Sequence, residues 1–267
     1  MRETVTRLLS GIVYILLLPA AIFYSPASFL LLFGIFLLLA VFEFSNLVQL
    51  QKPVPIIVAV SAYLLFALFP ADGFTLFLLL LATLFVSARC IDFLFSEQKP
   101  KYDSLSKYVF LVGYIILPFI LLTKIPFQEG FYEPKVIFCI FILIWTNDTF
   151  AFIVGKTMGQ NKLFEKISPK KTIEGFIGGV GFAILAAAII SRYYIFQDLY
   201  VWVIVAVIVG VIGTIGDLVE SKFKRTAGVK DSGKVMPGHG GILDRLDSVI
   251  FAAPFVFLFY QILNYVS

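Results

Sequence analysis

The chain of 267 residues is 60% hydrophobic and 14% charged, whereas a soluble domain is about 45–50% apolar and about 25% charged. With a net charge of only +4, this balance excludes a soluble globular enzyme and a nucleic-acid-binding arm. Cys90 and Cys139 both lie in apolar runs, which excludes a disulfide framework and a Cys/His zinc pattern.

A spanning helix needs about 20 mostly apolar residues. Candidate segments run over 7–24, 27–50, 54–70, 73–97, 105–124, 134–158, 172–195, 200–222 and 245–265. The first could mimic a signal peptide, but Ala20, Ala21 and Tyr24 make a poor cleavage site, so a retained helix is expected. The third is short and bounded by Pro53, Pro55 and Pro70, which makes it the weakest. The second and fourth are long and should tilt or project from the bilayer. The expected fold is an all-α integral membrane protein, a polytopic bundle of about nine transmembrane helices with a polar cavity facing the cytoplasm. Residues 1–130 would hold about five N-terminal spans, and residues 131–267 the polar motifs.

An odd number of spans puts the N-terminus and the 2–3, 4–5, 6–7 and 8–9 loops on one side. Of the 21 Lys and Arg residues, only Lys124, Lys135 and Arg192 fall on the other. The positive-inside rule places the basic side, with Lys99, Lys101, Lys170 and Lys230, in the cytoplasm, and Ser267 outside. Glu43, Asp92, Asp148, Glu174, Asp217, Glu220, Asp244 and Asp247 then lie in or beside the cytoplasmic half of the helices, Asp148 deepest. Acids are costly in hydrocarbon, so this asymmetry points to a water-filled funnel open to the cytoplasm.

Ser221–Asp247 reads SKFKRTAGVKDSGKVMPGHGGILDRLD, a basic, glycine-rich stretch between two apolar segments. Asp217 and Glu220 stand at one edge and Asp244 and Asp247 at the other, each pair three residues apart on one helix face. Cations suit phosphate oxygens, carboxylates suit a hard metal such as Mg²⁺, and glycines allow close backbone approach. These residues together read as a phosphate-and-metal site at a membrane surface. The competing reading pairs the acids with Lys222, Arg225 and Arg245 at headgroup level. For Glu43 and Asp92 a buried ion pair or an interfacial position stays open.

Lys170 and Lys171 begin a further helix, where a basic flank touching anionic lipid would explain the charges. Gly178, Gly179 and Gly181 read as close helix packing. His239, the one histidine, lacks the partners of a typical zinc site. It is open as a general acid, a phosphate donor or a turn residue, with hydrogen bonding or loop positioning favoured. Asn147-Asp148-Thr149 matches a glycosylation acceptor but lies within a span.

Ser221, Lys224-Arg225, Lys230-Asp231 and the run Pro237-Gly238-His239-Gly240-Gly241-Ile242-Leu243-Asp244-Arg245-Leu246-Asp247 resemble the signature of phosphatidate cytidylyltransferases, or CDP-diacylglycerol synthases. Ile167–Phe176 and Asn147–Ala151 resemble other blocks of that family, so the resemblance covers the C-terminal half from Trp145. It implies the reaction CTP + phosphatidic acid → CDP-diacylglycerol + pyrophosphate, for phospholipid biosynthesis, by metal-dependent attack of the lipid phosphate on the CTP α-phosphate.

The resemblance also implies roles. Asp217, Asp244 and Asp247 would bind Mg²⁺, with Asp148 and Glu220 completing its shell and a second cation left open. Those first three with Lys224 and Arg245 form the expected catalytic set. Lys222, Lys224, Arg225, Lys230 and Arg245 would meet CTP phosphates in a loop reaching into water; Lys170 and Lys171 would hold the lipid phosphate, with Ser168 and Thr172 assisting. Ser221 and His239 join the substrate-binding set. The acyl chains would enter sideways from the bilayer. Implied partners are CTP, phosphatidic acid and membrane lipids, without nucleic acid. A homodimer suits a helical membrane enzyme, although no residue pattern specifies one. A bacterial cytoplasmic (inner) membrane location is implied.

Three other classes compete. A polyprenol or phytol kinase-like protein, or an enzyme for another lipid such as an isoprenoid ether-lipid phosphate, would share membrane acids and a polar loop but not the full glycine-rich block. A transporter would show paired broken helices in two repeats, and none is visible. The Asp-Gly…Ala-Arg…Gly…Asp…Asp pattern of CDP-alcohol phosphotransferases is absent.

Overall fold

Apolar runs punctuated by proline and short polar turns fold into nine helices in the computed structural model, which describes residues 2–69, 71–96, 103–128 and 130–266. Pro70, Lys99, Lys101 and Ser267, on which parts of the expected topology rest, lie outside the described residues. The helices are α1 (Arg2–Tyr24), α2 (Pro26–Leu47), α3 (Pro53–Leu68), α4 (Gly73–Phe95), α5 (Ser104–Lys124), α6 (Pro134–Met158), α7 (Ile173–Ile195), α8 (Leu199–Thr226) and α9 (Leu243–Val266). Each coincides with one expected segment. Seven, α2 and α4 to α9, are long and apolar enough to cross a bilayer. The apolar stretches of α1 (Ser10–Tyr24) and α3 are shorter. The chain is thus an all-α polytopic membrane protein.

Local chemistry sets the helix starts. Ser25 and Ser28 form a reciprocal capping box before α2, with Pro26 at the first helical position. Thr172 Oγ1 accepts the Gly175 amide at 3.1 Å and caps α7. Two antiparallel ribbons, which the hydropathy pattern does not foresee, interrupt the helices: β1 (Phe127–Gln128) with β2 (Phe131–Tyr132), and β3 (Lys162–Phe164) with β4 (Ser168–Thr172). A correction concerns α8. It runs to Thr226 rather than 222, so Lys222, Lys224 and Arg225 stand on a helix and not in a loop. Cations in a last turn complement the helix dipole, so the turn stays helical although its hydropathy drops.

The core is aromatic: Phe33, Phe44, Phe119, Phe141, Trp202, Phe223 and Phe251 are fully buried. Leu31, Ile57, Phe85, Ile177 and Leu185 instead point outward, as a lipid-facing surface requires. Polar contacts sort the connections into two ends. Lys124 Nζ donates to Ala67 O and Phe69 O, and Tyr132 Oη donates to Ile22 O, at one end. At the other, Ser10 Oγ donates to Pro237 O and Lys222 Nζ to Ser96 O. This grouping is what helices running alternately in opposite directions produce.

Helices α6 and α7 approach closely because small residues face each other. A Cβ at Gly179 would lie 2.7 Å from Asn147 O, and one at Gly175 2.6 Å from Ala151 O. Gly178 also packs, against Val154, but nothing lies within 4 Å of a Cβ at Gly181, so the expected packing role fails there. Gly179→Val should therefore lower stability by about 1–3 kcal/mol through overpacking. Gly181→Ala should leave it unchanged or raise it by up to about 1 kcal/mol. Thermal unfolding in detergent micelles checks both.

Candidate active site

A cavity of about 930 Å³ opens where α6, the β3–β4 ribbon, α7, α8, α9 and α1 meet. Asp148 on α6, Asp217 on α8 and Asp247 on α9 line it, and their carboxylates lie within electrostatic reach of one another. Each is oriented by a neighbour. Asn147 Nδ2 donates to Asp148 Oδ1 at 3.2 Å, Ser221 Oγ to Asp217 Oδ1 at 3.3 Å, and the Ser248 amide to Asp247 Oδ1 at 2.7 Å. Lys171 Nζ meets Asp217 Oδ2 at 2.6 Å. Lys156, Lys162, Lys170 and Arg245, all exposed, supply further positive charge to the wall. An acidic interior with a basic surround suits phosphate oxygens and a cation in one place.

Other expected site residues serve the frame around this cavity, and Asp244 belongs to both the frame and the cavity wall. Lys224 is buried and ion-paired with Glu220 one turn earlier on α8, and with Asp244 Oδ1 at 2.6 Å. Asp244 Oδ2 accepts the Ser232 amide, Ser232 Oγ and the Gly241 amide at 2.7–3.0 Å. Glu43, near the end of α2, accepts the Ile242 and Leu243 amides at 3.0 and 2.9 Å and Ser232 Oγ at 3.0 Å. This carboxylate thus caps α9 from another helix, which sits well with the positive end of a helix dipole. A Cβ on Gly233 or Gly241 would collide with it.

Several expected ligand-binding groups are turned to protein atoms. Lys222 Nζ donates to Ser96 O and lies 5.6 Å from the Phe93 ring centroid; Arg225 Nη1 donates to Val229 O at 3.0 Å. Ser168 pairs across the ribbon with Phe164 and is outside the cavity wall, whereas Thr172 is in it. Lys230 lines a second hollow of about 450 Å³ with Lys234. His239 borders both hollows; its Nδ1 lies 2.8 Å from Ser10 Oγ and its carbonyl accepts Arg245 Nη2 at 2.7 Å. These contacts tie His239 to α1 and α9. Sequence reasoning missed Tyr14 and Gly11 of α1 and gave Lys156 and Lys162 no site role, although all four line the cavity. It had flagged Glu43, whose signal is a lone acid in an apolar helix.

Among the described residues, no group of three His, Cys, Asp or Glu side chains already converges at metal-binding distance. The donor chemistry nevertheless fits Mg²⁺: four carboxylates line one cavity, and hard oxygen ligands are what this ion takes. Asp148, Asp217, Asp244 and Asp247 line that space. Asp244 and Glu220 are engaged by Lys224.

Removing one partner of a buried ion pair leaves an uncompensated charge, at a cost of about 3–5 kcal/mol. Lys224→Met should therefore destabilise the fold by that order, and adding Glu220→Gln should recover part of the loss. Unfolding midpoints of the single and double variants in detergent check this.

The sequence profile described as Cytidylyltransferase family matches residues 5–263. Proteins named phosphatidate cytidylyltransferase are also similar. That of Staphylococcus aureus is 51% identical over 116 residues, 43% of this chain and 44% of the relative. Those of Staphylococcus haemolyticus and Staphylococcus epidermidis are 50% and 47% identical over 116 and 115 residues, with the same coverage of each chain. The chain thus matches less than half the length of these relatives.

Proposed function

The chain belongs to the cytidylyltransferase family, and we propose that it transfers the cytidylyl group of CTP to phosphatidic acid, giving CDP-diacylglycerol and pyrophosphate. The observation that carries the proposal is one cavity where Lys171, Arg245 and exposed lysines surround Asp148, Asp217 and Asp247, flanked by apolar Ile15, Phe152 and Phe176. A lipid phosphate can meet the cations while its chains stay among apolar side chains. The phosphate monoester is already anionic at neutral pH, so the reaction needs no strong base. Its difficulty is bringing two anions together and stabilising the leaving pyrophosphate, a task for positioning and charge neutralisation.

Lys170 and Lys171 are proposed to receive the lipid phosphate beside Thr172. Arg245, Lys156 and Lys162 would meet the CTP phosphates, with Lys230 on the approach. Asp148, Asp217 and Asp247 would hold Mg²⁺, which when bound supplies positive charge to the phosphate oxygens. Glu220, Lys224 and Asp244 would act by holding α8 and α9 in place. The cavity would open to the cytoplasm, where CTP is available; the bias of Lys and Arg to that end supports this. The bacterial relatives support a place in the cytoplasmic membrane.

Purified protein in detergent should form CDP-diacylglycerol only with CTP, phosphatidate and a divalent cation together; turnover that persists in excess chelator would exclude the metal. Asp217→Asn and Asp247→Asn, at normal folded yield, should each lower turnover by about 10³-fold or more. A variant that keeps more than about a tenth of the activity is not a principal ligand. For sidedness, a Lys230→Cys variant lacking Cys90 and Cys139 should react with an impermeant thiol reagent only from the cytoplasmic face. Labelling of intact cells from outside would reverse the orientation.

A further inference from the structure

Helix α1 lies outside every motif, yet it forms one wall of the cavity. Ser10 and Tyr14 are four residues apart and share a face, as do Gly11 and Ile15. Ser10 fastens this face to the α8–α9 connection through Pro237 O and His239. Gly11 faces the His239 ring, which a Cβ there would meet at 3.4 Å, an ordinary van der Waals contact. The next turn delivers Tyr14 to the cavity. Its ring is fixed edge-on to Trp145, centroids 6.5 Å apart, and against Phe36 at 6.4 Å.

The Tyr14 hydroxyl is buried and has no hydrogen-bond partner among the described residues. It lies in the fields of Arg245 and Asp247. Buried hydroxyls are nearly always satisfied, and an unpaired one lowers stability, so each calls for a cause. Ser45, Tyr114 and Tyr260 also have unpaired buried hydroxyls, but none of these lines the cavity. Asn147 Oδ1 is unpaired and does line it; as an acceptor it belongs with the carboxylates. Among the described residues, Tyr14 is the one cavity-lining buried hydroxyl left unpaired; it lies in the field of a guanidinium, and a phosphate oxygen is the acceptor that complements both.

We propose that the Tyr14 hydroxyl donates a hydrogen bond to a phosphate oxygen of substrate bound beside Arg245, which makes Tyr14 a substrate-contacting residue supplied by the N-terminal helix. The proposal rests on the cytidylyl-transfer reading only for the identity of the phosphate compound, which is phosphatidate or CTP.

Tyr14→Phe removes the hydroxyl and keeps the ring. If the group awaits a ligand, the ligand-free variant should unfold at the same temperature as wild type or higher. Its KM for one substrate should rise about tenfold or more, the weight of a hydrogen bond to a charged group. Phosphatidate and CTP are varied separately, and the one whose KM rises identifies the phosphate. Thermal shifts with a short-chain phosphatidate or CTP alone give a second readout, with the variant stabilised less than wild type by the same ligand. Absence of wild-type turnover would defeat the proposed reaction while these shifts still decide the role of Tyr14. The proposal is overturned if the ligand-free variant melts several degrees lower, because the hydroxyl then has a structural partner. It is equally overturned if KM values, or failing turnover the ligand-induced shifts, match between the two proteins.

Discussion

Everything in the cavity depends on where the charge of Lys224 goes. An ammonium carried into a helical bundle is costly unless it is paired and hydrogen-bonded. Here it is met by Glu220 from its own helix and Asp244 from the next, and its side chain is only 10% exposed. This pairing joins the end of α8 to the start of α9 at the base of a long polar connection. Asp244 then gathers the Ser232 and Gly241 amides, and Glu43 takes the Ile242 and Leu243 amides from the opposite side. The first turn of α9 is thereby gripped by two carboxylates, and Asp247 enters the cavity with a fixed direction.

The same residue type serves two ends according to helical angle. Three residues along a helix leave side chains about 60° apart, enough to turn Asp217 to the cavity and Glu220 into the protein. Asp247 and Asp244 both line the cavity, but the oxygens of Asp244 are taken up by Lys224, Ser232 and Gly241. The cavity holds Asp148, Asp217 and Asp247 close together, a repulsive set in the absence of a cation, while Lys171 and Arg245 balance part of that charge. A site of this kind binds anions and a metal better jointly than either alone, because each relieves the repulsion that the other meets.

Much of the architecture was legible in the sequence because length and hydropathy suffice to mark a span. All nine segments became helices; the apolar stretches of both α1 and α3 are short, and only that of α3 was expected to be weak. The end of α8 was misread, since Lys222, Lys224 and Arg225 lower the hydropathy of a turn whose charges are satisfied by Ser96 O, Glu220, Asp244 and Val229 O. The β3–β4 ribbon was invisible because its strands are short and rich in lysine. Spacing alone showed that Asp217 with Glu220, and Asp244 with Asp247, belong to one region. It could not say which carboxylates are engaged by the protein itself, because that depends on the partners of Lys224. Glu43 announced itself as an acid in an apolar helix, but its partners are the Ser232 hydroxyl and two backbone amides 189 to 200 residues away, which no local pattern encodes. Tyr14 carried no signal, since a tyrosine in an apolar helix is unremarkable until its neighbours are known.

The division between the cavity carboxylates that Lys224 leaves alone and the two that it engages is the claim on which the site stands. Anomalous scattering from Mn²⁺ in crystals of the protein grown with CTP tests it most directly. The expected peak lies among Asp148, Asp217 and Asp247, with Lys224 still bound to Glu220 and Asp244. A peak coordinated by Glu220 or Asp244, with Lys224 displaced, would contradict it.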